Sequence, residues 1–405
     1  MAYKGLLPYV PGLEKELQRS RVQEIAKDVW MLEGYISDNF LFKPASCNIF
    51  ILRDGDSLYI LDTGTYPFYR ERMLELMRRY KKDGVKRIVL MLTQGHFDHA
   101  CNNDVILEAG ISDWDFLLPE PEIGVIEFLS DWMNDWQNLE EFYNPYTMFP
   151  ARGSTAVIHL AGRISVGLGR VLLRSNFAIL FRGVRTLADR AQVLPLQGKV
   201  KRSFGSVELE GWEVGRFFAI HDASHTPGHI SLYDPENKLM LSGDVTIEIN
   251  PAFLYSSLDR CIDMCAKFRR MSEEGYIELA TDSHRSSTFF PLVYEQFGME
   301  PLHRIQLADV AKGKEECAAF FGTLGDLYGG LKREVMAAHS RIGEATVIEI
   351  VEEMAASGDA AVKLKMAMRF PDFPSRPEVL VAEVLKSMGA PRRREEKRIL
   401  FAPAQ

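Results

Sequence analysis

The chain has 405 residues, of which 46% are hydrophobic and 26% charged, ordinary globular composition rather than that of a disordered or fibrous chain. Lys and Arg number 48 against 56 Asp and Glu, and a formal net charge of -8 argues against a dedicated nucleic-acid binder. The length exceeds a usual single domain, so one catalytic domain with a sizeable insertion or a second lobe is expected.

Residues 1–18 hold Lys4, Glu14, Lys15 and Glu16 with Pro8 and Pro11, and lack the basic-then-apolar layout of a signal peptide. The longest apolar-leaning stretch, 164–181, is broken by Arg170 and Arg174, so no transmembrane segment is expected. The five cysteines, Cys47, Cys101, Cys261, Cys265 and Cys317, show no paired framework and no C-x-x-C thiolate site, which points to a cytoplasmic location.

From Cys47 to Gly64, two apolar runs flank Asp54-Gly55-Asp56, the punctuation of a β-hairpin. Phe68, Met73, Leu74, Met77 and Tyr80 then recur at helical spacing over 67–82, and 87–92 reads as a short buried strand. That strand runs into TQGHFDH, followed by a helix from about 99 to 110, and α/β proteins place their sites where strands end in this way. Residues 111–197 read as a mainly helical insertion. Its Pro119–Glu141 half holds seven acids and neither Lys nor Arg, whereas Arg163–Arg190 holds six Arg and one acid, so the two halves are candidates to face each other. Strands resume at 206–209 and 217–221, and a hairpin turns at Asp234-Pro235-Glu236-Asn237. A helix over 258–274, a strand at 276–280 and the loop TDSH close this part. Beyond Met299 the chain reads as helical, interrupted at Gly329-Gly330 and by Pro371, Pro374 and Pro377. The resulting division is 1–110 and 198–298 as two halves of one domain, 111–197 as the insertion and 299–405 as a helical C-terminal region.

His96 and His99 flank Asp98, His284 follows Asp282-Ser283, and His229 closes HTPGH. Histidine clustered with aspartate and without cysteine is a ligand set for zinc, iron or manganese, which accept imidazole and carboxylate together. Ligands from far-apart stretches would staple separate strands to the cation.

T-Q-G-H-F-D-H at 93–99, H-T-P-G-H at 225–229, S-G-D at 242–244 and the late His284 occur in the order of the metallo-β-lactamase superfamily, which the chain resembles over about residues 22–110 and 197–290. L-D-T-G at 61–64 resembles its leading strand and turn, and HTPGH looks most like its glyoxalase II and lactonase branches. The resemblance implies a four-layer αββα sandwich with one or two divalent ions, zinc first, with iron and manganese as alternatives. It implies that His96 and His229 bind the first metal, that Asp98, His99 and His284 bind the second, and that Asp244 bridges both. Gln94 departs from the family's usual His, and its amide is a weaker, harder ligand, so first-site affinity should fall and the metal count is open.

The implied reaction is hydrolysis of an ester-like bond in a small molecule, a thioester or lactone before a β-lactam, by hydroxide that the metal generates from water. Asp98 would orient that water or take its proton. Asp62 would fix the loop or hydrogen-bond a liganding histidine, and His225 and His221 would stand behind the ligands. An iron-dependent persulfide-type dioxygenase, a nuclease and a non-catalytic metal-binding protein are the rival readings.

Arg170, Arg174, Arg182 and Arg185 suit a phosphate or carboxylate on the substrate, an interfacial membrane helix, or a plain solvated face. Trp114, Trp132, Trp136, Phe128 and Tyr143 suit an acyl pocket or core packing equally. The basic cluster from Arg392 to Arg398 reads as a solvated tail, and the oligomeric state, homo-oligomers included, is open.

Overall fold

The computed structural model describes residues 17–18, 20–35, 46–127, 155–181, 183–245, 256–284, 310–356, 377–395 and 398–403. Strands β1 (Val22–Ala26), β2 (Val29–Leu32), β3 (Ile49–Asp54), β4 (Ser57–Leu61), β5 (Arg87–Met91), β6 (Asp113–Pro119) and β7 (Gln192–Leu194) lie in sequence order in one sheet. Pairing is antiparallel from β1 to β4 and parallel from β4 to β7. A second sheet takes β8 (Val200–Phe204), β9 (Val207–Val214), β10 (Phe217–His221), β11 (Ile230–Asp234), β12 (Leu239–Leu241), β13 (Leu279–Thr281) and β14 (Ala311–Lys312), again in sequence order. Its pairs are antiparallel except β12 with β13.

Helix α1 (Pro67–Lys82) starts on a proline, where the missing N–H costs nothing, and ends on Arg79, Lys81 and Lys82, which favour the negative end of its dipole. Single turns α2 (Phe97–Ala100) and α3 (Glu122–Val125) follow, then α4 (Thr155–Ile164) and α5 (Val166–Leu180). Helices α6 (Leu258–Glu273), α7 (Lys314–Ile342), α8 (Val347–Ala356) and α9 (Pro377–Ser387) belong to the other side of the molecule.

The alternation of strand side chains builds the layers. Ile49, Ile51, Leu58 and Ile60 face Met73, Leu74 and Met77 of α1, while Phe50, Leu52, Tyr59 and Leu61 face Phe217, Ala219, Ile230 and Leu232 of the second sheet. Phe218, Ile220, Tyr233 and Met240 turn away from that interface onto Cys261, Cys265 and Phe268 of α6 and Phe321 of α7. Three apolar contacts therefore separate four layers, helix on sheet on sheet on helix, as the αββα expectation requires.

Both hairpins and α1 lie where the sequence places them, but four expectations change. The segment 111–197, expected to be mainly helical, also contributes β6 and β7 to the first sheet in parallel, and among its described residues α4 and α5 are the long helices. The helix expected after His99 is the short α2 and a 3-10 stretch, Asn103–Glu108. Helix α7 runs through Gly329-Gly330 without a break. Two interior glycines cost a helix about 2 kcal/mol, and burial of Phe321, Val335 and Ala338 along the same helix offsets that. The basic cluster near the end also has structure: β15 (Arg392–Glu395) pairs with β16 (Arg398–Phe401), and His339 Nε2 and the Phe401 carbonyl lie 3.0 Å apart.

Helix α9 returns to the start of α6. Glu383, buried there, accepts the Leu258 N–H at 3.4 Å and pairs with Lys386, whose ammonium donates to the Ser256 carbonyl at 3.0 Å. Burial pushes the Glu383 carboxyl from 4.5 up to about 7. Between those values the folded chain keeps a proton that the unfolded chain has lost, so this group's contribution to stability falls as pH rises through the window. Glu383→Gln is expected to flatten that fall in urea unfolding measured from acid to neutral pH; an unchanged slope would assign it to other groups.

Candidate metal centre

Parallel β4 and β5 end side by side, Leu61 beside Met91, which places the loops that follow them in contact. Asp62, buried and held at φ 64, accepts the Thr93 N–H at 2.7 Å and the Thr93 hydroxyl at 2.8 Å, and its Oδ2 lies 3.0 Å from His99 Nδ1. The other ring nitrogen, His99 Nε2, therefore faces the Asp244 carboxylate at 3.2 Å. Gln94 meets the same two groups through its amide nitrogen, 2.7 Å from His99 Nε2 and hydrogen-bonded to Asp244, and its Oε1 is buried without a hydrogen-bond partner. Backbone bonds fix α2 from below: Thr63 N–H donates to the His99 carbonyl at 2.7 Å and Cys47 N–H to that of Asp98 at 3.1 Å.

The HTPGH loop joins β10 to β11 and reverses one assignment. His229 has both ring nitrogens engaged, Nδ1 at 2.8 Å from Asp222 and Nε2 accepting the Asp244 N–H at 2.9 Å. It does not face the cluster, so its expected role as a first-metal ligand is corrected. His225, expected to stand behind the ligands, presents Nε2 3.4 Å from Asp244 Oδ2 and sits edge-on to His96 with ring centroids 5.1 Å apart. The physical reason is the tight turn, in which His229 N–H returns to the Thr226 carbonyl at 3.1 Å and His229 leads directly into β11. Gly243, at φ 58, must be glycine: a Cβ there would lie 2.5 Å from the His229 ring. His221 lies outside the cluster, its Nε2 3.0 Å from the Pro227 carbonyl.

Asp244 thus lies between two imidazole pairs, His96 with His225 and His99 with His284, the latter pair 5.3 Å apart between centroids. His284 Nε2 is 3.3 Å from Asp98 Oδ2 and 3.4 Å from Asp244 Oδ1. Burial alone would raise the Asp244 carboxyl, but His284 and His99 outweigh it and hold it well below the carboxylate range. Burial opposes a charge on His284 too, yet Asp244 and Asp98 raise it to about 10, and the same kind of contest holds His99 well above its ordinary value. Burial and the neighbouring His225 keep His96 well below its own.

These residues fit a divalent cation. Two carboxylates, Asp98 and Asp244, stand beside His99 and His284, and a dication there would offset their charge while leaving those imidazoles neutral and free to ligate. Asp98, His99 and His284 bring ligand atoms within 4.8 Å of one another. Gln94 Oε1 is a buried acceptor without a hydrogen-bond donor, an arrangement that costs about 1–3 kcal/mol unless something fills it. Cys47, Asp62 and His99 form a second close group, but burial pushes the Cys47 thiol up to about 12, away from the thiolate that ligates metals.

The chain belongs to the metallo-beta-lactamase superfamily, whose family model matches residues 43–114 and 119–288, more than half of its length. Members of that superfamily are largely metal-dependent hydrolases. The chain is similar to a solved beta-lactamase domain protein from Burkholderia ambifaria, with 16% identity and a TM-score of 0.52 over 95% of this chain and 93% of that one. It is also similar to the stereoselective inverting sec-alkylsulfatase Pisa1 from Pseudomonas sp., with 13% identity and a TM-score of 0.50 over 91% of this chain and 50% of that one. Both likenesses concern the fold. No curated protein sequence matches the chain.

Three residues at the site carry no sequence motif. Asp222 accepts from Ser224 and Ser231 and faces His229, and a carboxylate closing β10 three residues before His225 is the signal that could have exposed it. Asn48 links the sheets, its amide donating to the Asp282 carbonyl at 3.0 Å. Glu122, fully buried at the start of α3, joins both loops: it accepts the Gly95 N–H at 2.6 Å, the Thr226 hydroxyl at 2.6 Å and the Gly228 N–H at 2.8 Å. Burial raises its carboxyl, and these three donors act against that. Glu122→Ala strands two backbone donors and is expected to destabilise the fold by about 2–5 kcal/mol in urea unfolding, with Glu122→Gln losing less. A loss below 1 kcal/mol, on the order of a surface substitution, would show that the clamp is dispensable.

Proposed function

We propose that the protein is a metal-dependent hydrolase that cleaves an ester-like bond in a small molecule, with a thioester or lactone as the favoured class. The observation that carries this reading is the Asp244 carboxylate buried between the two imidazole pairs. His96, His225 and Gln94 Oε1 would hold one cation, Asp98, His99 and His284 a second, and Asp244 would serve both. Zinc is favoured, with iron and manganese as alternatives, because the donors are imidazole and carboxylate. When bound, the cation supplies Lewis acidity for attack of water on a carbonyl.

The protein's own groups divide the remaining work. Asp98 and His284, each with 13% of the side chain exposed, are the cluster residues that reach toward solvent. Asp98 orients the attacking water and takes its proton at the carboxylate. Asp62 accepts a hydrogen bond from His99 Nδ1–H and so turns the Nε2 lone pair inward. Asp222 orients His229, which fixes the Asp244 backbone. The wording of HTPGH, similar to that of glyoxalase II and lactonases, supports the substrate class.

The test is elemental analysis of the purified protein with a hydrolysis screen over thioesters, lactones, alkyl sulfates and phosphodiesters. Bound zinc with thioester or lactone turnover is expected, and Asp98→Asn should lower kcat about 10²–10⁴-fold in a chain that still folds. A single iron with oxygen uptake and no hydrolysis would replace this reading by an oxygenase. Gln94→His is expected to tighten the weaker of two zinc equivalents in chelator competition, because imidazole is the softer and stronger donor. Unchanged competition would show that Gln94 lies outside the coordination sphere.

A further inference from the structure

Helices α4 and α5 have apolar residues on both sides. Ile158, Ala161 and Leu173 are buried, with Ile158 and Leu173 in the core beneath α1 and the first sheet, and Phe181 just beyond α5 packs on Phe97 of the metal loop at 4.9 Å. The opposite side carries Val157, Leu160, Ile164, Leu168, Val171 and Ile179, whose exposures run from 47% to 76%. Elsewhere among the described residues, the exposed large apolar side chains reach only 37% to 43%. A helix that is apolar all round has a partner on each side, and an ordinary solvated face would carry acids, lysines or amides.

Charge selects the partner. Residues 155–188 contain five Arg, no Lys and no acid, within a chain whose formal net charge is -8. Arg163 and Arg174 are exposed, on the side of the helices that carries the apolar row. Exposed aliphatic side chains interleaved with guanidinium groups match an interface where hydrocarbon lies beside phosphate. A second copy of this chain, brought face to face by a twofold axis, would set arginines against arginines. None of the described helices is long and apolar enough to cross a membrane, so such helices would lie on the surface rather than span it.

We propose that the outer face of α4 and α5 docks on an anionic lipid surface. Arg163 and Arg174 meet lipid phosphates and the aliphatic row enters the boundary between headgroups and acyl chains. The Phe181–Phe97 contact sets this docked element directly against the loop that carries His96, Asp98 and His99.

The experiment is sedimentation of the full chain with vesicles of phosphatidylcholine alone and of an equimolar mixture with phosphatidylglycerol. Binding to the mixed vesicles only, weakening as salt rises, is expected. Arg163→Gln with Arg174→Gln should weaken it about thirtyfold, since each basic side chain at an anionic surface contributes roughly a factor of five. Leu160→Gln with Ile164→Gln should weaken it as well while leaving the melting temperature unchanged. Equal binding to both vesicle types, no binding to either, or no response to either pair of substitutions overturns the proposal. So does a dimer that Leu160→Gln with Ile164→Gln dissolves, because a second copy would then be the occupant. Early melting of that variant overturns it too, because the face would then be covered in the native chain.

Discussion

A buried carboxylate between four imidazoles is the constraint on which the rest of the site depends. Asp244 has no access to bulk water, so its charge is tolerable only because positive charge or its equivalent surrounds it. The protein supplies that from both sheets: His99 follows β5 of the first, and His225, His284 and Asp244 itself follow strands of the second. Behind the carboxylate, the chain Asp222, His229 and the Asp244 N–H fixes the position of the charge. Each link is a buried polar group satisfied by the next, so displacing one leaves another unpaired.

The two sheets do not rely on that centre alone to stay in register. Apolar contact between Phe50, Leu52 and Leu61 on one side and Phe217, Ala219 and Leu232 on the other sets their separation. At the strand ends, where apolar packing gives way to loops, polar ties take over. Asn48 reaches the loop of His284, and Glu122 reaches the loops of His96 and His225. The geometry of the site therefore rests on contacts among the protein's own groups as well as on the ligand cluster itself.

The peripheral elements divide between support and exposure. Helices α6 to α9 bury their apolar faces on the second sheet, and α9 reaches the start of α6 through Glu383 and Lys386. The Ser256 hydroxyl, next to that start, donates to the His225 carbonyl at 2.7 Å while its own carbonyl accepts from Lys386, so side-chain donors link the C-terminal region to the backbone of the site. Helices α4 and α5 are different, since only one side of them is covered.

Much of this was legible without a structure because it is decided locally. The two apolar runs of Ile49–Leu61, the helix over 67–82, the turn at Asp54-Gly55-Asp56 and the strand-to-loop passage into TQGHFDH follow from steric preference and burial within a few residues. The ordered motifs also located His96, Asp98, His99, Asp244 and His284 as one cluster. The sequence could not decide which histidine of HTPGH faces inward, because both stand beside the same turn and the choice is made by Asp222 and the Asp244 N–H. Nor could it reveal Glu122, whose partners at Thr226 and Gly228 lie 104 and 106 residues away. Strands β6 and β7 escaped notice for the same reason, since a parallel edge is defined by its neighbours rather than by its own pattern. Local composition determined what each segment can be, and only the tertiary structure decided where its polar groups point, because a buried hydrogen bond depends on partners that the chain brings together from afar.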